Sequence, residues 1–463
     1  MNKLKRLWSN LRASFWFVPS LIVAISIALA VALIGADFTG SEQWLARWPR
    51  LFGVGADGAR GTLSTIAGSM MTVVGVTFSM VLMTLALASS QYTSRILRNF
   101  MRDRVTQVVL GIFAGIFTYC LIVLRTIRGG VDGVFVPSLA VSFSVLLAMG
   151  GIGVLIFFIH HIAASIQASS IIASVADETM AAVGRLFPGE LGQGPVVDDE
   201  DQAVLALPVL RWQAVPAKGN GYIQSMDNAA LLRLARENNT IVRMERGIGD
   251  FVVHDTTLAS LALEFPPEHE IITALQQAYR IDRYRTVEQD CAFGIRQIVD
   301  MALRALSLGI NDTTTAVMCV DYLTAILARL ASREIPSSHC YEDGGLRVIA
   351  IGPTFASLVA EAFDQIRGSA NGNVAIMLRM LGAVQTIASL TASPSRRRAL
   401  RGQVQWIAEL AERTIESPHD RARLESRLAS VREELETEPV LSAGVKGEDP
   451  HPLKPPAITN RVK

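Results

Sequence analysis

The chain has 463 residues, of which 50% are apolar and only 18% are charged, and its mean hydropathy is +0.34. Soluble proteins carry about a quarter charged residues, so this composition indicates a protein that lies largely in a lipid bilayer. The net charge of +1 argues against nucleic-acid binding, which needs a strongly basic surface. The four cysteines lack CxxC spacing, which argues against a zinc site or a disulfide framework.

Four apolar segments near the N-terminus are each long enough to cross about 30 Å of hydrocarbon as a helix. They cover residues 15–36, 63–89, 105–124 and 136–159, and their interiors carry no ionised side chain. The first is longer than the apolar part of a signal peptide, so we expect it to be retained. We therefore predict an α-helical multi-pass membrane protein with a four-span domain over residues 1–160.

The basic residues of the segments that connect the spans predict their orientation. Lysine and arginine are retained on the cytoplasmic side of a membrane. Eight lie on one side of the predicted spans and five on the other, so both termini are predicted to be cytoplasmic. The eight are Lys3, Lys5, Arg6, Arg12, Arg95, Arg98, Arg102 and Arg104; the five are Arg47, Arg50, Arg60, Arg125 and Arg128.

The second apolar segment places small or hydroxylated residues along one side of its helix, at a spacing that alternates four and three. We call this set the small-residue seam: Gly61, Thr65, Gly68, Thr72, Gly75 and Ser79. One interpretation is helix packing, because small residues let backbones approach each other. The other is a pore lining in a homo-oligomer. In the third segment, Gly111-x-x-x-Gly115 predicts close helix packing.

Behind the spans the sequence predicts a cytoplasmic α+β region. Residues 161–189 are predicted to continue the fourth helix out of the membrane, and 190–202 form a linker by composition. Residues 203–264 are predicted to form a small β-rich, barrel-like module, with a hairpin whose strands, 240–246 and 250–253, flank Gly247-Ile248-Gly249. That hairpin resembles those of lipoyl-type barrel-sandwich modules, without the lysine that is modified there.

The last part of the chain is predicted to be a cytoplasmic helical domain over residues 265–436, followed by a disordered, proline-rich tail over 437–463. Three features of this domain stand out. Arg296, Asp300 and Arg304 recur every fourth residue as an ion ladder. Asn311 or Asp312 is predicted to cap the helix that begins at Thr313; the alternative is that this polar corner binds a ligand or a neighbouring subunit. The basic turn formed by Arg396–Arg398 and Arg401 is predicted to be solvated or to contact anionic lipid.

Three stretches together resemble a bacterial family of predicted membrane proteins named domain of unknown function 2254. They are Phe78-Ser-Met-Val with Ala88-Ser-Ser-Gln-Tyr-Thr-Ser-Arg95, then Gly221-Tyr-Ile-Gln224, and finally Phe293-Gly-Ile-Arg-Gln with Gly309-Ile-Asn-Asp312. The resemblance covers nearly the whole chain apart from the tail. It implies a bacterial inner-membrane location and no particular activity.

The sequence contains no P-loop, HExxH or GxSxG motif, and we predict no enzyme activity, cofactor or metal site. The leading hypothesis is a homo-oligomeric channel or permeation path whose cytoplasmic domains serve assembly and gating. That layout is similar to the layout of small-conductance mechanosensitive channels. The alternative is a membrane-anchored scaffold or sensor whose cytoplasmic domain binds a protein or a small ligand.

Overall fold

The computed structural model describes residues 16–38, 55–91, 103–128, 135–165, 167–189, 211–342 and 345–437. The predicted linker lies outside these ranges. So do residues 438–463 of the predicted tail and residues 92–95, which end the first of the three stretches that resemble the family.

The described residues of the N-terminal part include four long apolar helices. They are α1 (Phe17–Phe38), α2 (Ala56–Gln91), α3 (Arg104–Thr126) and α4 (Ser138–Ser165). Each is long and apolar enough to cross a membrane. α3 packs against the other three, and the buried core between them includes aromatic residues such as Phe113 of α3.

Contacts at the two ends of these helices fix their relative directions. At one end, the Asp37 carboxylate of α1 accepts hydrogen bonds from the backbone N–H groups of Leu139 and Ala140, at the start of α4, both at 3.2 Å. At the other end, His161 Nε2 near the end of α4 lies 3.0 Å from the Asp103 carboxylate at the start of α3. α1 and α3 therefore run in the same direction, and α4 runs opposite to both.

A short break separates α4 from the next helix, α5 (Ala168–Leu186). Gln167 precedes α5 in an extended conformation, so the fourth helix does not continue unbroken through residues 161–189. The apolar side of α5 packs against helices of the C-terminal part of the same chain.

Eight strands in the described part of the chain form two sheets. Five strands are ordered β1 (Trp212–Pro216), β5 (Thr257–Ala262), β3 (Val242–Met244), β8 (Gly345–Ile349) and β7 (His339–Glu342); three are ordered β4 (Phe251–Val252), β2 (Gly221–Met226) and β6 (Tyr279–Asp282). The helices α6 (Asn228–Glu237) and α7 (His269–Ala278) pack with them around one core. The described strands thus form a small sheet region of two sheets, and β6, β7 and β8 extend it beyond residue 264.

The predicted hairpin around Gly247 is wrong, because its two strands belong to different sheets. β3 pairs with β5 and, in parallel, with β8, whereas β4 pairs with β2. The chain turns between them at Gly249, whose φ is +90°, and the Asp250 carboxylate accepts a hydrogen bond from Gly247 N–H at 2.8 Å. The six-residue strands β2 and β5 offer longer ladders than β3 and β4 could form with each other.

The C-terminal part is a helical bundle that also buries α5. Its helices are α8 (Cys291–Ala305), α9 (Thr313–Ala331), α10 (Phe355–Ser369), α11 (Val374–Ala388), α12 (Pro394–Thr414) and α13 (Pro418–Glu436). α9 is a fifth helix with the length and apolar composition of a membrane span, which the sequence prediction did not count. It lies between α5, α8 and α11, and Leu323, Ile326 and Leu330 of α9 are fully buried in the bundle core.

Two residues of the predicted basic turn are buried rather than solvated or available to lipid. Arg396 and Arg397 are only 8% and 6% exposed. Their guanidinium groups donate hydrogen bonds to carbonyls at or just beyond the ends of other helices, where the last carbonyls lack the i+4 N–H donor of a helix interior. Arg396 reaches Leu330, Ala331 and Arg333; Arg397 reaches Ala388, Thr391, Glu434 and Thr437.

Candidate functional site

The small-residue seam lies on the outward side of α2. All six of its residues are exposed, whereas Leu63, Ala67 and Met70 on the opposite side are buried against the other helices. A Cβ atom added at Gly61, Gly68 or Gly75 would meet no atom of the described chain within 4 Å. Packing between the described helices of the chain therefore does not account for the seam.

The spacing of the seam is that of a helix that packs along another helix. Gly61, Gly68 and Gly75 are seven residues apart, and Thr65, Thr72 and Ser79 form a second set with the same spacing. A strict seven-residue repeat keeps one side of a helix facing a neighbour that crosses it in a left-handed supercoil. The pattern is that of a helix-packing surface, and none of the described helices of the chain packs against it.

The threonine hydroxyls of the seam are satisfied within α2. Thr65 Oγ1 donates to the Gly61 carbonyl at 2.8 Å, and Thr72 Oγ1 donates to the Gly68 carbonyl at 3.1 Å. Such bonds let a hydroxyl face a dry environment without an unpaired donor, while its oxygen can still accept a hydrogen bond from water. The seam chemistry is therefore compatible with a tight helix contact and with a wetted lining.

The middle of the seam is concave. The small side chains leave an open depression of about 390 Å³ between larger neighbours. It is lined by Thr72, Gly75, Val76, Ser79, Met80 and Met83. This concave strip can receive the ridge of a second helix or border a wider lumen.

The glycines of α3, unlike those of the small-residue seam, lie close to another described helix. A Cβ at Gly111 would lie 2.7 Å from Ile22 Cδ1 and 3.0 Å from Pro19 Cα, both in α1. A Cβ at Gly115 would lie 2.5 Å from Ser26 Oγ. Gly111-x-x-x-Gly115 thus lies at a close contact between α1 and α3 of one subunit, the kind of contact that the motif predicts.

The predicted ion ladder lies on α8, and its first residue joins two helices. Arg296 makes a two-pronged ion pair with Glu361 of α10, with Nε 2.5 Å from Oε1 and Nη2 3.2 Å from Oε2. Asp300 and Arg304 follow at one-turn intervals and are partly buried. The pair between Arg296 and Glu361 spans 65 residues of sequence, so helical spacing alone could not reveal it.

The structure places Asp312 as the cap of α9. Its carboxylate accepts hydrogen bonds from Thr315 N–H at 3.0 Å and from the Thr315 hydroxyl at 2.5 Å. These bonds, the hydroxyl bond first, lower the pKa of Asp312. Asn311 precedes it in the left-handed region, with φ of +49°, a conformation that asparagine tolerates better than most residues. The polar corner therefore has a structural role at the start of α9.

The loop before this cap exposes apolar side chains. Leu308 is fully exposed and Ile310 is about half exposed, at 49%. Gly309 between them has no neighbour of the described chain within 4 Å of an added Cβ. Because exposed apolar side chains gain free energy when a partner covers them, this loop is a candidate contact surface.

Sequence reasoning missed the link between α3 and α4. Asp103 caps α3 by accepting from Val105 N–H at 3.0 Å and from the Thr106 hydroxyl at 2.6 Å, and it also contacts His161. Burial tends to raise the pKa of Asp103, but the hydrogen bonds from Thr106 and His161 lower it below its usual value. An aspartate just before an apolar run is an N-cap signal, whereas its partner 58 residues away has no local signal.

Within the described ranges, no group of three or more His, Cys, Asp or Glu side chains is placed to hold a metal ion. The structure thus combines several long apolar helices with a small sheet region and a helical bundle. These features define a membrane protein whose large C-terminal part folds around cores of its own.

Comparison with known proteins identifies the family. Residues 12–386 match the family described as predicted membrane protein (DUF2254). Uncharacterised proteins of Mycobacterium tuberculosis and Mycobacterium bovis are each 31% identical to this chain over 451 residues, which cover 94% of this chain and 83% of the relative. No solved structure matches. The chain belongs to the DUF2254 family, as the resemblance in its sequence predicts.

Proposed function

We propose that α1–α4 are the membrane spans, in the bacterial inner membrane, and that α9 is not a span. α9 carries Asp321, which forms an ion pair with Arg379 of α11, and its last carbonyls accept hydrogen bonds from Arg396. Charged partners of this kind stabilise a helix inside an aqueous bundle and are costly in hydrocarbon. The excess of basic residues on one side of α1–α4 supports cytoplasmic termini.

We propose further that the protein is a homo-oligomer in which the small-residue seam of α2 faces other copies and lines a permeation path. The observation that carries this proposal is the exposure of the whole seam, with no atom of the described chain near its three glycines. The sheets and the helical bundle then form the cytoplasmic assembly and gating portion, and the proposed role is not enzymatic.

The composition of the seam supports a neighbour other than lipid. Each glycine in a helix costs about 1 kcal/mol relative to alanine, and three glycines at a surface in contact with lipid would bring no compensating gain. A second copy of the same helix supplies that gain, because close backbone approach increases van der Waals contact. α2 has 36 residues and is about 54 Å long, so it exceeds the hydrocarbon core and can extend the contact beyond the membrane.

The test measures ion flux from liposomes that contain purified parent, Thr72→Asp or Thr72→Lys protein. In a wetted path the introduced charge stays hydrated, so we expect normal assembly and opposite shifts in the preference for cations and anions. In a dry contact the same charge costs about 2.5–3.5 kcal/mol at mid-membrane and lowers assembly. Assembly without flux, or a monomeric parent in mild detergent, would contradict the permeation path.

A matched control is available one residue away. Met71 is 56% exposed and points about 100° around the helix from Thr72, outside the seam. Met71→Asp places the same charge at the same depth, and we expect it to lower yield without shifting ion preference. A shift as large as that of Thr72→Asp would mean that the seam is not the lining.

The alternative function, a membrane-anchored scaffold or sensor, is favoured by the exposed loop at Leu308 and Ile310. In that case the loop is the contact surface for a protein, and the spans serve as an anchor. A Leu308→Ser, Ile310→Ser double variant tests this alternative: it should leave flux and assembly unchanged and abolish capture of a protein partner. Loss of flux in the variant would assign the loop to the permeation path instead.

A further inference from the structure

A polar groove lies on the surface of the helical bundle, outside the seam and the polar corner. α11 forms its floor, and α9 and α13 form its two walls. Its volume is about 270 Å³, enough for a small organic anion. It is lined by Asp321, Thr324, Arg379, Gly382, Ala383, Thr386 and Arg427.

The charges of the groove leave an excess of one positive charge. Asp321 and Arg379 form an ion pair across α9 and α11, so these two charges compensate each other. Arg427 of α13 reaches over α11 and is partly buried. Within the described part of the chain, no acidic side chain forms an ion pair with Arg427. Its guanidinium group is therefore available to an anion from outside.

The floor of the groove is shaped by small side chains. A Cβ at Gly382 would lie 3.3 Å from Arg427 Nη2, so a larger residue there would compete with the guanidinium for space. The two threonine hydroxyls of the groove donate within their own helices, Thr324 of the α9 wall to the Val320 carbonyl and Thr386 of the α11 floor to the Gly382 carbonyl. Recognition of a charged ligand therefore falls to the arginines.

We propose that this groove binds a small molecule through an oxyanion group, a phosphate or a carboxylate, with Arg427 as the principal donor and Arg379 beside it. A guanidinium group presents two parallel N–H donors that match two oxygens of such a group. The family match ends at residue 386, within α11, so the groove combines a helix inside the match with α13, which lies beyond it. The proposal is independent of the permeation path, because it uses no residue of α1–α4.

The experiment titrates inorganic phosphate into the full-length protein in detergent by isothermal titration calorimetry, with chloride at equal ionic strength as the reference. We expect Arg427→Gln to weaken phosphate binding about tenfold or more, because one charge-assisted, two-pronged contact is lost. Gly382→Leu should fill the groove and weaken binding as well. Neither change should alter the thermal unfolding midpoint as measured by near-UV circular dichroism.

The matched control is Arg423→Gln. Arg423 lies one turn before Arg427 on α13, but it pairs with Asp420 at 3.6 Å and does not line the groove. We expect its variant to bind phosphate as the parent does. No binding beyond the chloride reference, or equal losses in the Arg423 and Arg427 variants, would overturn the proposal.

Two further titrants identify the source of the oxyanion. Acetate in place of phosphate reports carboxylate recognition, and glycerol phosphate reports the headgroup of an anionic phospholipid. Binding of any one that is lost in Arg427→Gln and retained in Arg423→Gln supports the groove. Equal binding of all titrants by the parent and by Arg427→Gln would place the anion elsewhere on the protein.

Discussion

Two glycine-bearing helix surfaces in the membrane region look alike in sequence and differ in structure. On α3, Gly111 and Gly115 touch Pro19, Ile22 and Ser26 of α1. On α2, the glycines of the small-residue seam have no atom of the described chain near them. Small-residue spacing therefore does not by itself show whether another helix of the same chain packs against that surface.

The largest expected effect is a loss of assembly when the small-residue seam of α2 is changed. Gly68→Leu together with Gly75→Leu should dissociate the proposed oligomer and leave each subunit folded, because these side chains would enter the subunit contact and meet nothing within the subunit. The measurement is the mass of the purified complex by light scattering in mild detergent, with helix content by circular dichroism.

The control for that experiment is Met71→Leu, which places the same new side chain at an exposed position beside the seam with little change in volume. We expect it to retain the mass of the parent. If the double leucine variant also retains that mass, the seam does not lie at a close subunit contact, and a wide lumen or a lipid contact must be considered for it.

The second expected effect is a loss of subunit stability on the other surface. Gly111→Ala should destabilise the protein by about 1–3 kcal/mol, because the added methyl group meets the Pro19 backbone and Ile22. Gly68→Ala, the same change in open space, should be neutral or stabilise α2 by up to about 1 kcal/mol. Both are measured as the free energy of unfolding in mixed detergent micelles, and equal effects would remove the distinction between the two surfaces.

The sequence predicted the features that depend on residues nearby in the chain better than those that depend on residues far away in it. The four apolar helices and the cap at Asp312 each depend on neighbours a few residues away, and their positions agree with the predicted ones to within a few residues at most ends. The family could also be identified, because its motifs are contiguous. The start of α2 differs most, since Ala56–Thr62 is helical outside the predicted apolar segment.

Features that depend on distant partners were not predictable in the same way. The strands β3 and β4 have a hairpin-like sequence, yet their partners lie in β5, β8 and β2. The basic turn reads as solvated, but Arg396 and Arg397 donate to carbonyls at helix ends, most of them about 40–65 residues away. The role proposed for Arg427 depends on the groove that it forms with Gly382 and Arg379, which lie on a different helix.

The smallest expected effect concerns the polar corner. There the Asp312 carboxylate has a partner in the same chain, Thr315. Asp312→Ala should cost about 0.5–2 kcal/mol at pH 7, and Asp312→Ser should cost at most a few tenths, because serine also caps helices. The pKa of Asp312 is lower in the folded protein than its usual 3.8, so its contribution is present above that value and is lost as the pH falls through the lowered pKa. The difference in unfolding free energy between parent and Asp312→Ala should therefore shrink below about pH 4. A serine variant that is as stable as the parent but inactive in flux would show instead that the carboxylate itself contacts a ligand or a neighbouring subunit.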